Sequence, residues 1–261
     1  MDNLQKEKKD NGVGRDRIKI DILIHDLKVP LAVIEAGVSS LLKRPEKYGP
    51  LTEKQKNVLH RALRNTKTTQ TLVNDVLELG KSAQGILNLT SCRVSSLIEQ
   101  TLVEIFDLAE SDTSENIRNC TNLALFKDIL KNQGIYLSVD EALWYEDIYL
   151  DETKIRQILR NLLSNGLKYR KAVIELAIYK ESGYFIISVK DDGEGIPPVY
   201  HKKIFECYFQ MDANEICSVR GHGLGLAGVM VLVEDMEGGL FLESEQGKGA
   251  KFIVKLPLQK V

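Results

Sequence analysis

The 261-residue chain has no apolar run approaching the ~20 residues that span a bilayer. The sequence therefore offers no membrane span. Its first ten residues, from Met1 to Asp10, are polar and lead into no apolar core, so they do not form a signal peptide. An excess of either charge is also missing: 35 Lys and Arg stand against 37 Asp and Glu, a net charge of −2. No global field then favours nucleic acid or an anionic membrane surface. Cysteine is scarce, and Cys92, Cys120, Cys207 and Cys217 show no paired spacing. They read as free thiols of a reducing compartment rather than as a disulfide framework or a zinc site. Internal repeats are absent. These absences together predict a cytoplasmic protein. What is present is a hydrophobic fraction of 43%, enough for one or two packed domains.

Near the start, Leu23-Ile24-His25-Asp26-Leu27-Lys28-Val29-Pro30-Leu31 sets a histidine, an acid and a base within a helix-like apolar pattern. A neutral imidazole, with an ordinary pKa of about 6.5, is a nucleophile near neutral pH. The adjacent carboxylate can take the ring proton as the ring attacks. His25 is thus a candidate phosphate acceptor, with Asp26 and Lys28 as its assistants. A His-Asp pair on a helix also occurs as an ordinary solvated face, so the second half of the chain decides its meaning.

Three segments there fit one nucleotide site. From Asp151 to Tyr169, apolar Ile155, Ile158, Leu159, Leu162 and Leu163 follow the helical period, and Asp151 is placed to start the helix. Asn161, Asn165 and Lys168 share one face, offset from that stripe. An amide oxygen suits Mg²⁺, which needs only one or two protein ligands when it also holds phosphates. The Lys168 ammonium suits phosphate oxygens. The second segment, Tyr184 to Pro197, is an apolar strand ending in Asp191-Asp192-Gly193-Glu194-Gly195. Glycine lets a ligand approach closely, and an ionised carboxylate accepts from an adenine amine. The third, Gly221-His222-Gly223-Leu224-Gly225-Leu226-Ala227, opens a helix and offers backbone N–H groups to phosphates. Its spacing is neither the dinucleotide fingerprint nor a P-loop. No Asp-Phe-Gly occurs, which argues against a eukaryotic-type protein kinase.

The chain divides into a polar tail or linker over 1–14, a helical part over 15–86 and an α+β part over 87–261. Helices are expected over 15–46 and from about Thr52 to Gly80, with a turn from Arg44 to Pro50. Pro30 removes a helix hydrogen bond and is expected to bend the first helix near His25. Two such helices cannot bury both apolar faces alone, so the helical hairpin is expected to dimerise into a four-helix bundle. Further on, helices near 93–109 and 153–168 alternate with two hairpins. One turns at Ser182-Gly183, the other at Gly247 and Gly249. The expectation is an α+β sandwich, a mixed sheet with helices on one face. Ser111–Asn122 reads as a polar insertion.

Taken in order, these segments resemble the bacterial sensor histidine kinases of two-component signalling, over about Arg15 to Leu258. His25-Asp26-x-Lys28-x-Pro30 is similar to the family's H box. Asn161-x-x-x-Asn165-x-x-Lys168-Tyr169 is similar to its N box, and Asp191-x-Gly193-x-Gly195-Ile196-Pro197 to its G1 box. Ile204-Phe205-Glu206-x-x-Phe209 resembles the F box, Gly221-x-Gly223-Leu224-Gly225-Leu226-Ala227 the G2 box, and Gln246-Gly247-Lys248-Gly249-Ala250-Lys251-Phe252 the closing glycine motif. The resemblance implies an ATP-binding sandwich shared with gyrase and MutL, a homodimer, ATP and Mg²⁺. It further implies autophosphorylation of His25 and transfer to an aspartate on a separate response-regulator receiver domain. Asp191 would receive adenine, Asn165 with Asn161 would hold Mg²⁺, and Lys168, Gly221, Gly223 and Gly225 would hold phosphates. The segment from about Phe205 to Arg220 would be a lid.

Three positions depart from the pattern. Val29 stands where relatives that dephosphorylate their partner often carry Thr or Asn, so weak phosphatase activity is expected. Gly166 replaces an Ala, and His222 lies inside the glycine loop, where it is expected to face solvent. His60 and His201 read as surface residues. No sensor domain is recognisable, so the signal is expected from a separate sensor protein or a missing domain. The rival readings are a non-catalytic dimeric scaffold that binds a regulator, and a gyrase-like ATPase without an acceptor histidine.

Overall fold

The computed structural model describes residues 26–82, 87–109, 111–206 and 225–258. The chain forms two compact units, Met1–Gln84 and Gly85–Val261. In the first, helix α1 covers 26–43. It stops short of the expected residue 46 because Pro45 disfavours a helical residue before it. Pro45 instead starts the single turn α2, Pro45–Tyr48, closed by Gly49 at φ +84. Helix α3 runs over Glu53–Ser82. Its start is a reciprocal cap: the Gln55 N–H donates to Thr52 Oγ1, and the Thr52 N–H donates to Gln55 Oε1. Gln70 of α3 donates to Glu35 of α1 at 3.0 Å. Among the described side chains of this unit only Thr66 is buried. Leu27, Val29, Val33, Ile34 and Val58 all lie open.

The second unit has a large core. Strand β1, Thr90–Arg93, leads into α4, Val94–Ala109. That helix buries Val94, Leu97, Ile98, Leu102 and Phe106 at helical spacing. The supposed polar insertion is helix α5, Ser111–Arg118, and it buries Thr113, Ser114 and Ile117. Its polar composition hid a short inward stripe. Helix α6, Leu123–Asn132, is capped by Asn122 and buries Leu123, Phe126 and Leu130. Strand β2, Ile135–Val139, the single turn α7, Glu141–Trp144, and strand β3, Asp147–Leu150, follow. Strand β3 pairs with β1 in a separate two-stranded sheet.

The main sheet comprises β2, β4 (Ile174–Glu181), β5 (Tyr184–Asp191), β6 (Gly239–Ser244) and β7 (Ala250–Pro257). Its order is β2-β4-β5-β7-β6, with β2 parallel to β4 and every other pair antiparallel. It is the expected mixed sheet with two hairpins. Ser182 and Gly183, both at positive φ, make the first turn. One face meets helix α8, Glu152–Tyr169, and helix α9, Gly225–Asp235, through Ile155, Ile158, Leu159, Leu162, Val229, Leu232 and Val233. The other face carries the row Glu175, Lys190, Lys251 and Glu243, paired across strands at 2.9 and 3.1 Å.

Candidate nucleotide-binding site

Helix α8 begins where Asp151 accepts the Lys154 N–H at 3.1 Å; its other oxygen accepts from the Asn88 N–H. With that start set, Asn161, Asn165 and Lys168 fall on one half-buried face beside the core stripe. The Asn161 side-chain amide donates to the Gly225 carbonyl at 3.4 Å. This contact joins the middle of α8 to the first residue of α9, with Leu226 next to it. Gly166 lies on the opposite side of α8, under Ile174 and Val189 of the sheet. The missing side chain there lets the helix approach β4 and β5.

At the end of the helix, Lys168 donates to the Tyr169 hydroxyl at 2.9 Å, with its ammonium 4.6 Å from the ring centre. The ammonium is thus tethered beside an exposed aromatic. Immediately beyond lies the glycine turn after β5. A Cβ at Gly193 would overlap the Tyr169 carbonyl oxygen, so only glycine permits that approach.

Two neighbouring acids have different fates in this turn. Asp191 is buried. Its Oδ1 accepts the Gly193 N–H at 2.9 Å and the Ala250 N–H at 3.4 Å. Burial pushes its carboxyl pKa up, and the two N–H groups partly oppose that. Asp192 instead accepts the Lys171 and Ala172 N–H groups. Hydrogen bonding to backbone, first from Val173 and Ala172, holds its carboxyl below the ordinary value. Asp191 is the inward acid, and Asp192 is a brace between the turn and the end of α8.

Gly195, at φ +69, lies against the Glu245 carbonyl of the β6–β7 turn. Phe205 packs edge-on to Phe252, 6.5 Å between ring centres. His201 is not a bland surface residue: its Nε2 is 2.8 Å from the Ile196 carbonyl and the ring is half-buried. His60 is exposed. The sequence reading missed Asp192, Ser244 and the Ala250 N–H. The Gly247 and Gly249 spacing had marked their turn as a hairpin and as the closing glycine motif, with no role given to its residues in the site.

The structure therefore brings Asn161, Asn165, Lys168, Tyr169, Asp191, Gly193, Gly195, Phe205, Gly225 and Leu226 into one unit, with α8 touching both glycine segments. His25, Gly221, His222, Gly223, Leu224 and most of the expected lid lie outside the described residues, as do Cys207 and Cys217. Asp26 and Lys28 are exposed on α1 in the other unit. No cluster of three His, Cys, Asp or Glu with metal spacing occurs among the described residues. A divalent cation held by phosphates and one or two amide oxygens fits the donor set of Asn161 and Asn165. Among the described residues no helix is long and apolar enough to cross a membrane.

Residues 150–260 match the histidine kinase-, DNA gyrase B- and HSP90-like ATPase model, and residues 20–85 match the His Kinase A phospho-acceptor domain. The chain is 31% identical over 200 residues to sensor protein RprX of Bacteroides fragilis, covering 70% of this chain and 38% of that protein. It is 30% identical over 240 residues to the circadian input-output histidine kinase CikA of Synechococcus elongatus, covering 90% of this chain and 29% of that protein. It thus spans little more than a third of these relatives' length, or less. Among solved structures, full-length ShkA in complex with AMPPNP is similar at a TM-score of 0.64 and 25% identity, over 93% of this chain and 46% of that one. The Acinetobacter baumannii histidine kinase AdeS shares the fold, with a TM-score of 0.55 over 90% of this chain and 98% of that one.

Proposed function

The chain belongs to the histidine kinases, and from that premise we propose that it phosphorylates its own His25 from Mg-ATP and passes the phosphoryl group to an aspartate of a response regulator. The observation that carries the ATP half is the meeting of α8 with both glycine segments around the buried Asp191. Asp191 keeps one oxygen clear of its backbone donors to accept the adenine amine. Asn165, with Asn161, holds the cation. Lys168 and the N–H groups of Gly221, Gly223 and Gly225 hold phosphate oxygens. Mg²⁺ bound there neutralises phosphate charge.

The unprotonated ring nitrogen of His25 attacks the γ-phosphorus in line as the bond to the bridging oxygen breaks and ADP leaves, and the proton on the other ring nitrogen passes to Asp26 or to water. Lys28 stabilises charge on the transferring group. The open apolar side chains of α1 and α3 support a homodimeric four-helix bundle as the frame for this step. The reading brings with it a cytoplasmic location, where ATP and receiver domains are found, and a sensor partner or sensor domain. Val29 offers no hydrogen bond to a hydrolytic water, so phosphatase activity toward the regulator is weak.

The test is transfer of γ-labelled phosphate from Mg-ATP to the purified protein beside its His25→Ala variant. Acid-labile, base-stable label that vanishes in the variant supports the reading. ATP binding without label supports a non-catalytic scaffold instead. ATP hydrolysis persisting in the variant with no labelled intermediate supports a gyrase-like ATPase.

A further inference from the structure

The turn between β6 and β7 supports the adenine side of the site from behind. Ser244 ends β6, half-buried, with its hydroxyl between two backbones. The Ile196 N–H donates to Ser244 Oγ at 2.8 Å, and that hydroxyl donates to the Gly249 carbonyl at 2.8 Å. A second tie runs parallel: the Gly247 N–H donates to the Glu194 carbonyl at 2.7 Å. The two backbones are pressed so closely that a Cβ at Gly195 would overlap Glu245, and one at Gly249 would overlap the Asp191 carbonyl. One residue beyond Gly249, the Ala250 N–H reaches Asp191 Oδ1. The position of that N–H, and so the direction in which Asp191 points, depends on how the closing turn is held to the glycine turn.

We propose that Ser244 is a positioning residue for adenine recognition: its hydroxyl clamps the Asp191–Pro197 turn to the β6–β7 turn and thereby aims the Asp191 carboxylate. The inference rests on the adenine role given to Asp191 above. Among the described residues the hydrogen bonds of Ser244 run to Ile196 and Gly249, neither of them proposed for the phosphates, so its effect falls on the base and not on the phosphates. Removing the hydroxyl leaves the buried Ile196 N–H and the Gly249 carbonyl without their bridge.

The test titrates ADP and inorganic tripolyphosphate calorimetrically into the full chain and into Ser244→Ala, Ser244→Thr, Ser244→Cys and Asp191→Asn variants. The expected result is ADP binding weakened about tenfold in Ser244→Ala, equivalent to about 1.4 kcal/mol. Tripolyphosphate binding stays unchanged, and Ser244→Thr restores ADP binding. Should Ser244→Ala fail to fold, Ser244→Cys, which keeps the volume and weakens the hydrogen bonds, carries the same expectation. Ser244→Ala binding ADP as the parent does, while Asp191→Asn loses it, overturns the role of Ser244 and leaves the adenine reading standing. Equal losses for ADP and tripolyphosphate also overturn it, because they indicate general loosening. ADP binding untouched in Asp191→Asn removes the adenine reading, and the proposal falls with it.

Discussion

At the residue scale, Asp191 and Asp192 are alike in chemistry and adjacent in the chain, yet only Asp191 is buried. Their different surroundings give opposite pH behaviour. The raised pKa of Asp191 means that the folded protein takes up its proton at higher pH than the unfolded chain. Its contribution to stability is therefore greatest below the unfolded value and is lost as pH rises through the folded one. Adenine binding has the reverse sign, since only the ionised carboxylate is a full acceptor. ADP affinity is expected to fall as pH drops through the raised pKa, and Asp191→Asn is expected to abolish both most of the affinity and this pH dependence. Calorimetric titration across the acid range checks it. Asp192, held low by backbone donors, contributes stability above its unfolded value that is lost as pH falls through its folded one. On α1, Val29 is 52% exposed and apolar. Val29→Thr is expected to increase release of phosphate from the phosphorylated regulator, and no increase in that rate would count against a role for the position.

At the scale of elements, the legible parts were those with a period or a required turn. The stripe Ile155, Ile158, Leu159, Leu162 and Leu163 announced α8, and all five are buried on it. Ser182-Gly183 and the Gly247, Gly249 pair announced the hairpins, and these residues do adopt positive φ. Strands β1 and β3 and the single turn α7 are four residues each, too short to show a period. Helix α5 failed for another reason: two of its buried positions are Thr113 and Ser114. The glycines also carry loads that spacing does not reveal. Gly249→Ala would place a side chain at φ +85, costing about 1–2 kcal/mol for the backbone alone, and would overlap Asp191. The expected outcome is a lowered melting temperature together with lost ADP binding, read by thermal denaturation and titration.

At the scale of the molecule, the two units differ in what they bury. The α+β unit closes one contiguous core, whereas the described part of the helical unit leaves Val33 67% exposed and Ile34 49% exposed. Val33→Glu is expected to weaken self-association by more than roughly tenfold, because burying an unpaired carboxylate costs well over the equivalent 1.4 kcal/mol. ADP affinity should stay unchanged. Analytical ultracentrifugation beside an ADP titration separates the two. The amino-acid order by itself determined the elements with a clear period, the hairpin turns and the segments proposed for the nucleotide, because each depends on local spacing and backbone permission. Tertiary structure alone decided which of two adjacent acids faces inward, that Gly166 admits the sheet, and that Ser244 bridges two turns. Those outcomes depend on groups from segments distant in sequence meeting in hydrogen-bond reach or, at Gly166, in van der Waals contact, which no local pattern records.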